Sequence, residues 1–116
     1  MKIDEKNYLK ELCNKNEKAL EYVIDNYSAI VNVVIRNVLR SFENEGLIEE
    51  CISDVFFSVL DNIHKFKGDD NNFKNWIDGI NKYKAIDYYR KYSHEKYRTS
   101  DIENHVIQDK ILIGNI

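Results

Sequence analysis

The chain has 116 residues, with 17 Lys and Arg against 20 Asp and Glu and a formal net charge of -3. This length suffices for one hydrophobic core but is too short for two domains of typical size. The N-terminus alternates charges before any apolar run, and no stretch approaches the roughly 20 apolar residues of a membrane span. The sequence therefore predicts no signal peptide and no membrane segment, and we expect an intracellular, cytoplasmic protein.

Charge is distributed unevenly along the chain. Residues 1–64 hold seven Lys/Arg against twelve Asp/Glu, whereas residues 65–98 hold nine against five. Because local charge steers association more than net charge does, this pattern favours a protein that meets two different partners. The alternative is ordinary fluctuation within a charged helical domain.

The first half of the chain has the periodicity of two helices. Proline is absent and only four glycines occur, which favours long helices. The first helix is predicted from about Asp4 to Cys13. The second is predicted from about Glu17 to Phe42, because apolar residues recur there at spacings of three and four. These apolar residues are Leu20, Val23, Ile24, Tyr27, Ile30, Val31, Val34 and Val38.

Two further helices follow a polar break at residues 41–46 (SFENEG). The third is predicted from about Leu47 to Ile63, and the fourth from about Asn72 to His94, after the loop FKGDDNN (66–72). The residues expected to face the core are Ile48, Cys51, Ile52, Val55, Phe56, Val59, Leu60, Ile63, Phe73, Trp76, Ile77 and Ile80. The predicted fold is all-α: a compact bundle of three long helices plus a short N-terminal helix.

The outward face of the third helix is not uniformly polar. A projection at about 100 degrees per residue groups five residues opposite the core stripe. They are Glu50, Ser53, Asp54, Phe57 and Asp61. An aromatic ring flanked by carboxylates is typical of a docking surface, since aromatic residues anchor interfaces and charges steer them. The alternative is one stray exposed Phe on a solvated acidic face.

Residues 66–91 mix aromatic rings with positive charge. Basic residues bind phosphates and rings stack on unpaired bases, so this composition suits a partly single-stranded nucleic acid. The same projection places four residues of the fourth helix on exposed or partly exposed faces. They are Lys82, Tyr83, Arg90 and Lys91.

The histidines and cysteines indicate no catalytic or metal chemistry. His64, His94 and His105 are far apart and lack a paired Cys or carboxylate pattern, so we expect no metal, no cofactor and no enzymatic activity. Cys13 and Cys51 are too few and too isolated for a disulfide framework. Both are expected to be buried free thiols.

Four motifs occur in the order and spacing of one protein family: ALEYVIDNYSAIV, EECISDVFFSVLDNIHKFKGD, NFKNWI and KAIDYYRK. With them, residues 17–94 resemble region 2 of the bacterial sigma-70 superfamily, and specifically its small extracytoplasmic-function (ECF) branch. Members of that branch usually continue through a linker into a region 4 helix-turn-helix domain. The resemblance thus implies a region 2-like domain over residues 1–94 and a linker or tail over 95–116, without region 4. The sequence leaves open whether the chain is part of a longer protein or a natural single-domain protein.

The resemblance implies a transcription initiation factor that binds core RNA polymerase. In the family, the helix that matches EECISDVFFSVLDNI binds the clamp helices of the β′ subunit. This match points to the outward face of the third helix, with Glu50, Ser53, Asp54, Phe57 and Asp61. The family usually has Gln where this chain has Ser53, so that contact is expected to differ. An anti-sigma factor is a further possible partner.

The resemblance also implies recognition and melting of the promoter minus-ten element. In the family, the loop that matches FKGDDNNF helps to hold a base flipped out of this element, and the following helix contacts the non-template strand. The match implicates Lys65, Phe66, Lys67, Gly68, Asp69, Asp70, Asn71 and Asn72 in the loop and Lys82, Tyr83, Arg90 and Lys91 in the helix. Tyr83 replaces the family's common Asn, so base preference is expected to differ. The rival hypothesis is a small helical adaptor that binds only protein.

Overall fold

The computed structural model describes the backbone of residues 1–115 and the side chains of residues 1–95. It contains four α-helices and two short 3-10 turns, and no strand occurs in this part of the chain. The elements are α1 (Tyr8–Cys13), α2 (Glu17–Leu39), a 3-10 turn (Arg40–Phe42), α3 (Glu45–Asn62), a second 3-10 turn (Ile63–Lys65) and α4 (Asp70–Asn115). The all-α prediction is confirmed.

Asparagine side chains start both central helices. The Oδ1 of Asn16 accepts a hydrogen bond from the Lys18 amide at the start of α2. The Oδ1 of Asn44 accepts one from the Leu47 amide at 3.0 Å. Asparagine is a favoured N-cap because its oxygen satisfies an otherwise unpaired helix amide. This cap lets α3 begin two residues before its predicted start at Leu47.

The N-terminal helix is shorter than predicted. Asp4 was expected to begin it, but Asp4 and Asn7 instead form a turn in which each side-chain oxygen accepts from the other's backbone amide, at 3.0 and 2.9 Å. Regular helix follows only from Tyr8. The prediction that Cys13 is buried is wrong, because Tyr8 and Leu12 fill the buried side of this one-and-a-half-turn helix and Cys13 points to solvent.

The core lies between α2, α3 and α4, with α1 closing one end. Its fully buried members include Val23, Val31, Ile35 and Leu39 of α2, at helical spacing. Ile35 and Leu39 were missed by the predicted stripe, whereas Ile30, which was placed in it, is 51% exposed. The reason is that Ile30 lies one position, or about 100 degrees, behind Val31.

Helix α4 continues past its predicted end at His94 to Asn115. No proline or glycine occurs between Ile80 and residue 113, so the chain offers no strong breaker there. The helix thus crosses the boundary predicted between residues 94 and 95, and the division into two segments stays a prediction. The side chains of residues 96–116, including that of His105, lie outside the described residues. Among the described residues, no helix is both long and apolar enough to span a membrane.

Candidate nucleic-acid interface

The loop before α4 depends on a glycine. Gly68 has a φ of +139°, a conformation that residues with a side chain rarely adopt. A Cβ at this position would also lie 2.7 Å from the side chain of Asn72. The chain can therefore make this close turn only with glycine at position 68.

Asp69 and Asn72 form a capping box at the start of α4. The Oδ1 of Asn72 accepts from the Asp69 amide at 3.1 Å, and the Oδ1 of Asp69 accepts from the Asn72 amide at 3.2 Å. Such reciprocal bonds satisfy two amides at a helix start. Asp69 and Asn72 were both predicted to contact DNA. Their side-chain oxygens instead bond to backbone amides of the protein, which competes with binding to a base. Lys65, Lys67 and Asn71 are exposed.

Two more predicted loop residues are bound within the protein. The carboxylate of Asp70 accepts a hydrogen bond from the Tyr8 hydroxyl of α1. The Phe66 ring is half-buried, with its centroid 5.5 Å from that of Phe73 and 5.2 Å from that of Trp76. Phe66 and Asp70 thus fix the loop and the start of α4 to the bundle.

A surface groove lies between the end of α3 and the first half of α4. It is lined by Ser58, Asn62, Asn75, Trp76, Gly79, Ile80, Tyr83 and Lys84. Two aromatic rings, two carboxamides and one cation therefore surround one open space. Of these residues, only Tyr83 was a predicted contact. The available signal was the repeat of Asn75, Gly79 and Tyr83 every four residues along one helix face.

Gly79 keeps the groove open. A Cβ built on it would meet no atom within 4 Å, so no packing inside the protein requires glycine there. Glycine in the middle of a helix costs about 1 kcal/mol relative to alanine. The missing side chain leaves helix backbone accessible between Trp76 and Tyr83.

Trp76 has the predicted structural role and a second one. Its ring centroid is 5.7 Å from that of Phe73, which is fully buried. The indole is nevertheless only half-buried, and it lines the groove. One ring thus joins the core to the candidate interface.

The predicted contacts of α4 spread over about half of the helix circumference. Tyr83, 66% exposed, and Arg90 lie about 20 degrees apart in projection, and exposed Lys82 lies about 100 degrees from Tyr83, on the side of Arg90. Lys91 lies about 80 degrees to the other side of Tyr83, where it borders a groove between α3 and α4 with Glu50. Tyr83 and Arg90 therefore form the centre of this surface, and Lys82 and Lys91 lie on opposite flanks of it.

Two of these lysines are paired along the helix. Lys82 lies 3.2 Å from the Asp78 carboxylate, and Lys91 lies 3.2 Å from that of Asp87. Exposed pairs of this kind are worth about 0–1 kcal/mol. A phosphate can therefore replace the carboxylate partner at small cost.

The predicted docking face of α3 borders two different grooves. Glu50 and Asp54 lie beside α4. Ser53 and Phe57, the latter 60% exposed, border an apolar groove against α2 that is lined by Leu20, Ile24, Ile52 and Phe56, among others. Asp61 is exposed. The five residues therefore share one helix surface but have different neighbours.

Asp54 departs from its predicted outward position. It is half-buried, and its carboxylate accepts a hydrogen bond from the Tyr88 hydroxyl of α4. Burial and this hydrogen bond raise the pKa of Tyr88 well above its usual value, so the hydroxyl remains a donor at neutral pH. The helical projection missed this contact because it ignores the neighbouring helix.

Comparison with known families agrees with this architecture. A family model described as Sigma-70 region 2 matches residues 27–95. The chain belongs to the sigma-70 region 2 family. This match covers most of α2, all of α3, the loop and the groove, and it confirms the resemblance to region 2. Sigma factors act in transcription initiation, and region 2 is not an enzyme domain. Comparisons with curated proteins and with solved structures gave no match.

The sigma region 2 domain shows no metal centre in its described part. Within residues 1–95, no group of three or more His, Cys, Asp and Glu side chains is placed to hold a metal ion. The surfaces that remain to be explained are therefore the groove beside the loop and the outward face of α3.

Proposed function

We propose that this sigma region 2 domain binds core RNA polymerase and captures non-template bases of the promoter minus-ten element as the duplex opens. The observation that carries the proposal is the groove in which the rings of Trp76 and Tyr83 lie with two carboxamides and the half-buried cation of Lys84. The ECF branch and a cytoplasmic location are part of the same proposal. It assigns no catalytic step to the chain.

The groove has the chemistry that an extruded base requires. Taking a base out of the duplex costs a few kcal/mol, which contacts to the protein must offset. Stacking on an aromatic ring contributes about 1–3 kcal/mol per base. Trp76 and Tyr83 supply rings, and Asn62 and Asn75 supply donors and acceptors for the base edge.

The loop and the exposed side of α4 extend this interface along the strand. Lys65, Lys67 and Asn71 are exposed in or next to the loop, and Lys82 and Arg90 are exposed on α4. Lysine and arginine side chains bind phosphates without regard to sequence. These residues therefore position the strand, while the groove distinguishes its bases.

Polymerase binding is assigned to the outward face of α3. Phe57 supplies an exposed ring beside an apolar groove, and Glu50 and Asp61 supply negative charge. A ring that becomes buried on binding is a common interface anchor, whereas charges mainly accelerate association. The partner proposed for this face is the clamp-helix pair of the β′ subunit.

The test is transcription by core polymerase and this chain on promoters randomised at the minus-ten positions. Tyr83→Ala is expected to change which base is preferred, because it removes a stacking ring. Arg90→Ala is expected to weaken all sequences alike and to reduce the salt dependence by about 0.7 per lost phosphate contact on single strands. Lys18→Ala, at an exposed site at the start of α2, serves as the control.

Two results would count against the proposal. Unchanged base preference in Tyr83→Ala and also in Asn75→Ala would show that the groove does not read the sequence. Binding to polymerase with no promoter-dependent transcription would favour the protein-only adaptor.

A further inference from the structure

The N-terminal helix lies outside the segment matched to region 2, yet it reaches the candidate interface. The match begins at residue 27, whereas Tyr8 lies in the first turn of α1. Tyr8 is only 1% exposed, and its hydroxyl donates a hydrogen bond to the carboxylate of Asp70, in the first turn of α4. Burial first, and then this bond, raise the pKa of Tyr8 well above its usual value. The hydroxyl therefore remains a donor throughout the neutral range.

Aromatic contacts connect Tyr8 to the loop and to the groove. Its ring packs edge-on against Phe73, with the centroids 5.6 Å apart. Phe73 in turn contacts Phe66 of the loop at 5.5 Å and Trp76 of the groove wall at 5.7 Å. The Phe73 ring thus lies between Tyr8 and the loop and also between Tyr8 and the groove. Packed rings transmit displacements because protein interiors have few voids.

Helix α1 is itself held by the rest of the bundle. The Tyr8 ring lies 4.9 Å from that of Tyr22 in α2. The ammonium group of Lys15, which follows α1, donates to the backbone carbonyl of Leu60 near the end of α3. Helix α1, which carries Tyr8 towards Asp70, is therefore held by contacts to both α2 and α3.

We propose that Tyr8 is a positioning residue for base capture. Its hydroxyl holds Asp70, and with it the start of α4 and the loop of residues 66–72, in the geometry that presents the groove to an unpaired base. Tyr8 acts through Asp70 and Phe73 and contacts no nucleic acid itself. This inference rests on the proposed function, because it assigns a role in that same interface to a helix outside the matched segment.

The test compares base discrimination in Tyr8→Phe with that of the unaltered chain. The measurement is transcription with core polymerase on the randomised minus-ten promoters, at a chain concentration that saturates polymerase. Tyr8→Phe keeps the ring and removes the hydroxyl, which also interacts with the hydroxyl of Tyr27. Discrimination between preferred and other bases is expected to fall on the order of fivefold, the factor associated with one ordinary net hydrogen bond. Adding Tyr8→Phe to Asp70→Ala is expected to cause no further loss, because both changes break the same bond.

A matched control separates positioning from general loosening. Tyr88→Phe also removes a hydroxyl that donates to a carboxylate, that of Asp54, but it lies away from the loop. It is expected to leave base discrimination unchanged. An equal loss in Tyr88→Phe and Tyr8→Phe would overturn the positioning role.

The conservative change Asp70→Asn gives an independent test. Its carboxamide oxygen can still accept from Tyr8, so discrimination is expected to be retained, whereas Asp70→Ala loses it. Because Asp70 is exposed, this contrast carries the test even if Tyr8→Phe fails to fold. Equal discrimination in both Asp70 variants would overturn the proposal.

The proposed function has its own marker in the same experiment. If Tyr83→Ala changes base preference while Tyr8→Phe and Asp70→Ala do not, only the positioning role fails. If none of the three variants changes it, the proposed base capture fails as well.

Discussion

Gly79 shows how a missing side chain serves an interface. It lies on exposed backbone in α4, and a Cβ there would meet no protein atom within 4 Å. A helical glycine without a packing reason sacrifices stability. This loss of helix stability has a reason if a ligand occupies the space between Trp76 and Tyr83.

Gly79→Ala is therefore expected to act in opposite directions on stability and on function. It should raise the free energy of unfolding by up to about 1 kcal/mol and at the same time lower base discrimination at the minus-ten positions. Denaturant unfolding and promoter-library transcription measure the two effects. Gly46→Ala is the matched control, because Gly46 lies in the first turn of α3 and a Cβ there comes no closer than 3.4 Å to another atom. Greater stability with unchanged discrimination would show that bases do not reach Gly79.

Single residues also show the limit of prediction from sequence. Asn72 was expected to contact a base because its loop resembles the base-holding loop of the family. In the structure its side chain accepts a hydrogen bond from the Asp69 amide and lies close to Gly68. Both contacts follow from backbone angles that one sequence does not reveal. Asp54 fell on the outward face by angular count, but its partner Tyr88 is 34 positions away.

At the scale of elements, α3 has two edges with different properties. Its edge towards α4 carries Glu50 and Asp54, and its edge towards α2 carries Phe57 over an apolar groove. A helical partner that packs along α3 would bury the ring on one side and meet carboxylates on the other. The hydrophobic and the electrostatic contributions to binding this partner can therefore be separated by mutating one edge of α3 at a time.

Phe57→Ala is expected to weaken binding to a β′ clamp-helix fragment by about 2 kcal/mol, the scale of an interface anchor. Because the ring is 60% exposed, stability should change little. Titration calorimetry with the fragment measures the affinity. Ile86→Ala, at a 46% exposed apolar site on α4, is the control and should bind like the unaltered chain. If Phe57→Ala binds the fragment as tightly as Ile86→Ala and the unaltered chain do, Phe57 is not part of the interface.

Helices were predictable because their signal is local. Apolar spacings of three and four identified α2, α3 and α4, and Asn16 and Asn44 lie at positions where caps are common. The groove was not predictable in this way. It combines Asn62 with Asn75, thirteen positions apart across a loop, and their proximity depends on how α3 and α4 pack.

At the scale of the whole molecule, buried protonated groups couple stability to pH. Burial raises the pKa of the Cys51 thiol to about 12 from an ordinary 9.0. Burial and the bond to Asp70 move the pKa of Tyr8 upwards from 10.0. Both groups keep their protons in the folded chain at a pH where the unfolded chain loses them. The folded state then binds more protons, so the free energy of unfolding must fall as pH rises.

We expect stability to be level up to about pH 8 and to decline above about pH 9, with a slope that approaches about 1.4 kcal/mol per pH unit for each such group. Denaturant unfolding at several alkaline pH values measures this slope. Tyr8→Phe should show a shallower decline because one titrating group is gone. A stability that stays constant to about pH 10.5 would contradict the burial of both groups.

The position of Trp76 has an optical consequence. It is the single tryptophan of the chain, and its half-buried indole joins the ring of Phe66 to the wall of the groove. Tryptophan emission responds to stacking and to solvent contact at the indole. The molecule therefore carries its own fluorophore at the place where a base is proposed to enter, so strand capture can be timed in the unlabelled protein.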